Sequence, residues 1–301
     1  MRALVVDQSA PSGLRLGEAP DPRADRSQAL VDVRAFSLNY GELGSVGSQP
    51  AGTVPGWDAA GIVAEAAADG SGPRAGSRVV TFGPSGAWAE RRAVDTSEIA
   101  VVPESVELGA ASALPVAGVT ALRAIRRFGF VGGERVLVTG ASGGVGRFAV
   151  QIAALAGAEV IASVGRPERG AGLAELGAAE VVVGLDTVEG PLHGVIDNVG
   201  GPGLARAFSL LGEGGSLQSI GATSGEPTVF PPYSTVGPRR RLEGFIMGAG
   251  LGRDLGYLID LIAHGKLDPQ VGWRGGWDRV TEAIEALLGR QVAGKAVLDL
   301  T

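Results

Sequence analysis

One twelve-residue segment, Arg135-Val136-Leu137-Val138-Thr139-Gly140-Ala141-Ser142-Gly143-Gly144-Val145-Gly146, constrains this chain more than any other. Arg135 to Thr139 reads as a short buried strand. It runs without a linker into a glycine turn and then into a helical pattern with Phe148, Ile152, Leu155 and Ala156 on one face. In the spacing Ala141-x-Gly143-x-x-Gly146, a small first residue makes the tight turn. Gly143 lets backbone amides approach a pyrophosphate, and Gly146 allows close packing of the helix. The helix N-terminus adds partial positive charge. Ser142, Gly143, Gly144, Val145 and Gly146 are therefore candidate phosphate contacts. Taken alone, such a turn is also compatible with a tight strand-to-helix connection that binds nothing. The flanking strand and helix favour a dinucleotide.

The surrounding pattern is that of an α/β chain. From Leu108 to Leu114 and Val119 to Phe128 the apolar spacing is helical, and strands then alternate with helices. Strands are expected at Arg135 to Thr139, Glu159 to Ser163, Val181 to Val183, Gly194 to Asp197 and Gly215 to Ile220, with a helix between each successive pair. Right-handed crossovers then give a doubly wound parallel sheet. The first third instead holds short β-type runs, at Ala3 to Val6, Gln28 to Arg34, Gly61 to Ala66, Arg78 to Phe82 and Trp88 to Val94. Val31 and Val33 there alternate with Asp32 and Arg34, as in a half-exposed strand. The tail reads as a helix from Leu255 to Ala263, a Trp-rich loop, a helix from Arg279 to Leu288 and a strand from Ala296 to Leu300. It is too short to bury a core of its own and is expected to return to the first domain. The expected division is residues 1–115 with 250–301, and residues 116–249.

Composition narrows the chemistry. The formal net charge of −6 argues against nucleic acid and anionic lipid as partners. No stretch approaches the roughly 20 apolar residues that a membrane span needs, and the N-terminal apolar run is too short for a signal peptide, so a cytoplasmic location is expected. The chain has no cysteine and two histidines, His193 and His264, in segments that look remote from one another. Disulfides, thiol catalysis and thiolate zinc sites are excluded, and a catalytic metal is not expected.

The second strand of the nucleotide unit ends in Ala162-Ser163-Val164-Gly165-Arg166-Pro167. An NAD site usually offers a carboxylate to the ribose hydroxyls here, and none is present. Ser163, Arg166 and Arg169 suit a 2′-phosphate instead, as a hydroxyl donor and two guanidinium groups. The cofactor read from these residues is NADPH. A solvated surface pair is the other reading of the arginines.

Several further segments carry a family resemblance: Val33-Arg34-Ala35-Phe36-Ser37-Leu38-Asn39-Tyr40, Pro55-Gly56-Trp57-Asp58-Ala59-Ala60-Gly61-Ile62-Val63, Leu114-Pro115-Val116-Ala117-Gly118-Val119-Thr120-Ala121 and Gly294-Lys295-Ala296-Val297-Leu298. With the glycine turn, they resemble the medium-chain dehydrogenase/reductase superfamily, in its zinc-free quinone oxidoreductase and enoyl reductase branch. The resemblance implies a GroES-like β-barrel-type catalytic domain and a Rossmann domain, the nicotinamide in the cleft between them, and a homodimer through the Rossmann sheets. Zinc-dependent members carry Gly-His-Glu after the proline, where this chain has Gly56-Trp57-Asp58.

The resemblance also implies site residues. Asn39 and Tyr40 would lie beside nicotinamide and substrate, and Thr120 would contact the carboxamide. Gly221, in Ile220-Gly221-Ala222, and Phe245, in Phe245-Ile246-Met247, would flank the cofactor, and Arg290 would be a late cofactor contact. Each has a plainer reading: a turn cap for Asn39, a packed aromatic for Tyr40, a self-bonded helix residue for Thr120, core for Gly221 and Phe245, a solvated helix end for Arg290. Asp197 is read as structural, and Arg239-Arg240-Arg241 as a solvated loop. The acidic residue that often follows the Asn-Tyr pair is displaced to Gly41-Glu42, and Gln49-Pro50 replaces a tyrosine common in polyketide enoyl reductases.

The expected activity is metal-free hydride transfer from NADPH to a quinone or an α,β-unsaturated carbonyl. Asn39 and Tyr40 would stabilise the developing oxyanion. Tyr40 or water, with Glu42 a weaker candidate, would supply the proton. A dedicated enoyl or ketone reductase of a biosynthetic pathway and a non-catalytic NADPH-binding protein are the rivals.

Overall fold

The computed structural model describes residues 1–300, which divide into two compact units, residues 1–119 with 248–300 and residues 120–247. The first unit begins with an antiparallel pair, β1 (Arg2–Val6) and β2 (Leu14–Glu18). There follow β3 (Gln28–Leu38), α1 (Tyr40–Val46), β4 (Asp58–Glu65), β5 (Arg78–Phe82), β6 (Arg91–Asp95), β7 (Ile99–Val101) and α2 (Leu108–Ser112). In β3, Val31 and Val33 are buried while Asp32 and Arg34 face outward, as the alternation requires. The strand expected at Trp88 to Val94 starts only at Arg91, because Trp88 is wholly buried in the core and Ala89 makes one isolated bridge to Ala3.

α3 (Pro115–Arg126) runs across the division, and the second unit continues with β8 (Arg135–Thr139), α4 (Gly144–Leu155), β9 (Glu159–Val164), β10 (Ala178–Val183), β11 (Leu192–Asp197), α5 (Gly201–Ser209), β12 (Leu211–Ser219) and β13 (Arg241–Gly244). All six strands are parallel, in the order β10-β9-β8-β11-β12-β13. The sheet reverses direction of growth between β8 and β11, as in a Rossmann domain. Leu137, Ile161, Val195, Leu204, Phe208 and Leu217 fill its core.

Helices do not separate every strand pair, contrary to expectation. Between β9 and β10 there is only a 3-10 turn, Pro167–Gly170, in a stretch punctuated by Gly165, Pro167, Gly170, Gly172 and Gly177. Between β10 and β11 there are eight residues, ending in Gly190-Pro191, too few for a helix and its turns. On α4, Phe148 and Ile152 are buried as expected, but Leu155 is 51% exposed and Ala156 caps the exposed helix end. The basic run also differs from a plain loop: Arg241 opens β13, paired with Ser216.

The tail returns to the first unit as α6 (Gly252–Ala263), β14 (Val271–Gly276), α7 (Val280–Leu288) and β15 (Lys295–Asp299). The expected Trp-rich loop is thus partly the strand β14, parallel to β15. β15 lies antiparallel to β3, with Ala296 opposite Leu38 and Leu298 opposite Phe36. The larger sheet runs β14-β15-β3-β4-β5-β7, with β6 also on β3. Leu4, Phe36, Leu38, Trp88, Trp277 and Leu298 form its main core.

Candidate active and cofactor sites

Antiparallel pairing brings three strand ends of the first unit to one place. β3 runs out at Leu38, β4 starts at Asp58 opposite Ser37, and β15 starts at Lys295 beside Leu38. Asn39, Glu42, Asp58 and Lys295 consequently meet below the surface, each at most 8% exposed. The Lys295 ammonium donates to the Leu38 carbonyl (2.9 Å) and to Asn39 Oδ1, and stands 3.4 Å from Asp58 Oδ2. Asn39 Nδ2 donates to Asp58 Oδ2 (2.9 Å) and to Glu42 Oε1 (3.2 Å). Asp58 also accepts from the Ser37 hydroxyl (3.1 Å) and, at Oδ1, from the Val116 amide (3.1 Å).

Glu42 takes the backbone amides of Asn39 (2.6 Å) and Trp57 (2.9 Å). The first of these is the half of a capping box that holds the start of α1. Burial and the neighbouring Asp58 carboxylate push the Glu42 carboxyl up to about 8, while Lys295 and the two amides pull it back. Arg92 completes the group. Wholly buried, it donates from Nη1 to the Trp57 carbonyl (3.0 Å) and Thr81 Oγ1 (3.3 Å), and from Nη2 to the Ser85 carbonyl (3.0 Å). Burial lowers its guanidinium to about 10, against the attraction of Asp58 and Glu42.

Two expectations for the Asn39-Tyr40 pair are sharpened by this geometry. Both Nδ2 hydrogens of Asn39 point at carboxylates, so the side chain is tied inside the protein rather than offered outward. Tyr40, in the first turn of α1, is 45% exposed and is not a packed core aromatic.

In the second unit the glycine turn is organised by backbone. Gly140 is left-handed at φ 58°, and the Ala141 amide donates to the Ser163 carbonyl (3.0 Å), which joins the turn to the end of β9. A Cβ on Gly146 would stand 2.6 Å from Ala141 Cα and closer still to the Gly140 carbonyl, so only glycine permits this helix start. A Cβ on Gly143 would touch only the Gly140 carbonyl, at an ordinary 3.4 Å. Gly143, Gly144 and Val145 are partly exposed, whereas Ser142 and Gly146 are buried.

Beyond β9, Arg169 Nε donates to Ser142 Oγ (2.7 Å) and ties its loop to the glycine turn. Arg166 is exposed, 3.6 Å from Glu168. The Ser163 hydroxyl donates to the Gly184 carbonyl (2.8 Å), so its one proton is already committed. Across the sheet, Thr139 Oγ1 donates to Asp197 Oδ1 (2.6 Å) and accepts from the Asn198 amide, and Asn198 Nδ2 donates to the Thr139 carbonyl (2.8 Å). Asp197 Oδ2 receives the Gly200 amide (2.8 Å); burial raises this carboxyl, and the Thr139 hydroxyl opposes it. Asp197 thus staples the ends of β8 and β11.

A Cβ on Gly221 would lie 2.8 Å from the Asn198 carbonyl. Phe245 continues the β12 pairing through the Ser219 carbonyl and lies under the Arg127 guanidinium at 5.3 Å. Thr120 is buried on α3. Arg290, in the first unit, is exposed just after α7 in the left-handed conformation, at φ 56°.

Sequence reasoning did not single out Asp58, Lys295, Arg92 or Thr139 as site residues. Three signals were present: Asn39, Asp58 and Lys295 each stand at a strand end inside a motif segment. Arg92 carries no such mark. His193 approaches the Phe128 carbonyl and Glu134, and His264 the Asp260 carbonyl. Among the described residues no group of three or more His, Asp or Glu could hold a metal ion, and no helix is long and apolar enough to cross a membrane.

Known proteins share this architecture. Residues 25–104 match the model of the alcohol dehydrogenase GroES-like domain, and residues 144–264 that of the zinc-binding dehydrogenase. The acrylyl-CoA reductase AcuI of Ruegeria pomeroyi is 33% identical over 256 residues, covering 74% of this chain and 75% of its own. The quinone oxidoreductase of Pongo abelii is 28% identical over 324 residues, covering 100% of this chain and 98% of its own. The structure of the quinone oxidoreductase from Coxiella burnetii superposes with a TM-score of 0.88 at 26% identity, covering 100% of this chain and 99% of that one. The chain is therefore a member of the medium-chain dehydrogenase/reductase superfamily of oxidoreductases, in its quinone oxidoreductase and enoyl reductase branch.

Proposed function

We propose that this oxidoreductase passes a hydride from NADPH to a quinone or to the β-carbon of an α,β-unsaturated carbonyl, without a metal. The observation that carries the cofactor half is the turn around Gly143. It is open above Gly143, closed at Gly146, and flanked beyond β9 by Arg166 and Arg169 with no carboxylate from Ser163 to Arg166. Space for a pyrophosphate is open there, the Gly143 amide itself being bonded to the Gly140 carbonyl (3.0 Å), and guanidinium groups fit a 2′-phosphate. Ser163 is a weaker donor than its sequence position implied, because its hydroxyl is bonded to Gly184.

For the acceptor, support comes from relatives named for conjugated substrates: acrylyl-CoA reductase, 2-methylene-furan-3-one reductase and quinone oxidoreductase. The absence of cysteine supports a metal-free reaction, since thiolate ligands are unavailable.

Bound NADPH would supply the hydride. Tyr40, exposed on the first turn of α1, is the neutral donor we assign to the developing oxyanion, with Tyr40 or water delivering the proton. Asn39 we assign to positioning: joined to Asp58, Glu42 and Lys295, it fixes the turn from which Tyr40 projects. Thr120, Gly221, Phe245 and Arg290 remain proposed cofactor contacts. The exposed edge strand β13, with Leu242 42% exposed, supports a homodimer through the Rossmann sheets of a cytoplasmic protein.

The test is NADPH oxidation with a panel of quinones and enones, alongside calorimetric binding of NADPH and NADH. Turnover with conjugated acceptors is expected, and tight NADPH binding with no turnover would instead favour a non-catalytic role. Arg166→Ala is expected to narrow the preference for NADPH over NADH by about tenfold, the size of one charge-assisted contact. An unchanged preference would remove Arg166 from the phosphate site.

A further inference from the structure

Trp57 is partly exposed, yet its backbone is held on both sides of the residue. Its amide donates to the buried Glu42 carboxylate (2.9 Å), and its carbonyl accepts from the buried Arg92 guanidinium (3.0 Å) and from the Gly83 amide (3.1 Å). Gly56, just before it, is left-handed at φ 102°, and a Cβ there would collide with the Trp88 indole. Asp58, just after it, points into the buried cluster, so alternation along the chain turns the Trp57 side chain the other way.

The indole lies over Gly41, next to Tyr40. A Cβ on Gly41 would meet the ring edge, Cη2 and Cζ3, at an ordinary 3.6 and 3.8 Å, so the ring edge packs against this helix position. The other three tryptophans are accounted for: Trp88 and Trp277 are buried, and Trp273 packs on the core beneath the Arg279 guanidinium. Trp57 alone combines a fixed backbone, a partly exposed ring and adjacency to the segment carrying Tyr40.

We propose that Trp57 is a specificity-determining residue, a fixed aromatic platform on which the flat conjugated ring system of the acceptor stacks. The proposal rests on the quinone and enone reading given above, and it favours polycyclic planar acceptors over small aliphatic ones.

The test compares the wild type with Trp57→Ala and Trp57→Phe on 9,10-phenanthrenequinone and on 3-buten-2-one, with NADPH saturating. Trp57→Ala should raise KM for the quinone about 3- to 10-fold, the range of one aromatic stacking pair. Its kcat, and both constants for the aliphatic enone, should stay within about twofold. Trp57→Phe should recover most of the quinone KM. Equal effects on both acceptors, or none on either, would overturn the proposal. A second readout needs no turnover: the quinone alone should quench the wild-type tryptophan fluorescence, and this quench should be largely lost in Trp57→Phe, which keeps the other three tryptophans. An undiminished quench would overturn the proposal as well. If no acceptor is reduced by the wild type, the reductase reading fails, while the quench still decides the role of Trp57.

Discussion

The two units hold their functional segments by opposite physics. In the first, Asn39 and Trp57 are fixed by buried ionisable groups: the Asp58 and Glu42 carboxyls, an ammonium and a guanidinium, each matched to several hydrogen-bond partners. In the second, the glycine turn is fixed by backbone bonds and by the absence of side chains, and the one buried carboxylate, Asp197, meets neutral donors. A charged cluster tolerates loss of a partner badly, since the remaining charges cannot return to water. A backbone cradle tolerates polar change but not added volume.

The strongest way to break this comparison is Lys295→Met, which leaves Asp58 and Glu42 without their ammonium. A loss of about 3–5 kcal/mol is expected from urea unfolding, as for removal of one partner of a buried pair. Its pH dependence sharpens the point. Because the folded protein raises the Glu42 carboxyl above its ordinary value, the Glu42 contribution to stability is fullest below about 4.5 and is lost as pH rises through about 8. At pH 6 Glu42 keeps its proton, so Lys295→Met should cost less there than at pH 8.5. An equal cost at both would show that Glu42 is not part of the coupled cluster.

Next in size is a contrast within the second unit. Gly146→Ala should cost about 1–3 kcal/mol, because its methyl would enter the Gly140-Ala141 backbone, and should abolish NADPH binding by calorimetry. Gly143→Ala should cost less than about 1 kcal/mol, since the space there is open, while still weakening NADPH binding. Comparable destabilisation by both would contradict the open cradle. Also small, beside Gly143→Ala, is Asp197→Asn, which keeps an oxygen for one donor and presents an amide to the other. About 1 kcal/mol is expected by thermal unfolding, far below the Lys295 effect. A loss as large as that of Lys295→Met would erase the difference between the units.

Much of this was legible in the chain. The strands at Arg78–Phe82 and Arg135–Thr139 and the turn ending at Gly146 follow from local rules, because apolar runs, glycine spacing and short connections act over a few residues. Local rules failed where length overrode pattern: no helix fits the eight residues between β10 and β11, and Leu155 faces solvent because α4 is ending there. β13 and β14 are short strands with no fully buried residue, so no apolar periodicity announces them.

The sequence by itself determined the family, the parallel nucleotide-binding sheet and a cofactor turn without a neighbouring carboxylate, since each is written in contiguous residues. Only the tertiary structure decided what Asn39 does. Asp58 lies 19 residues from it and Lys295 256, and antiparallel pairing of β3 with β4 and β15 alone brings them within hydrogen-bond reach. Burial then changes what those groups are: in water they would be independent, whereas in this core they share hydrogen-bond partners, and the Asn39 amide is bound up among them.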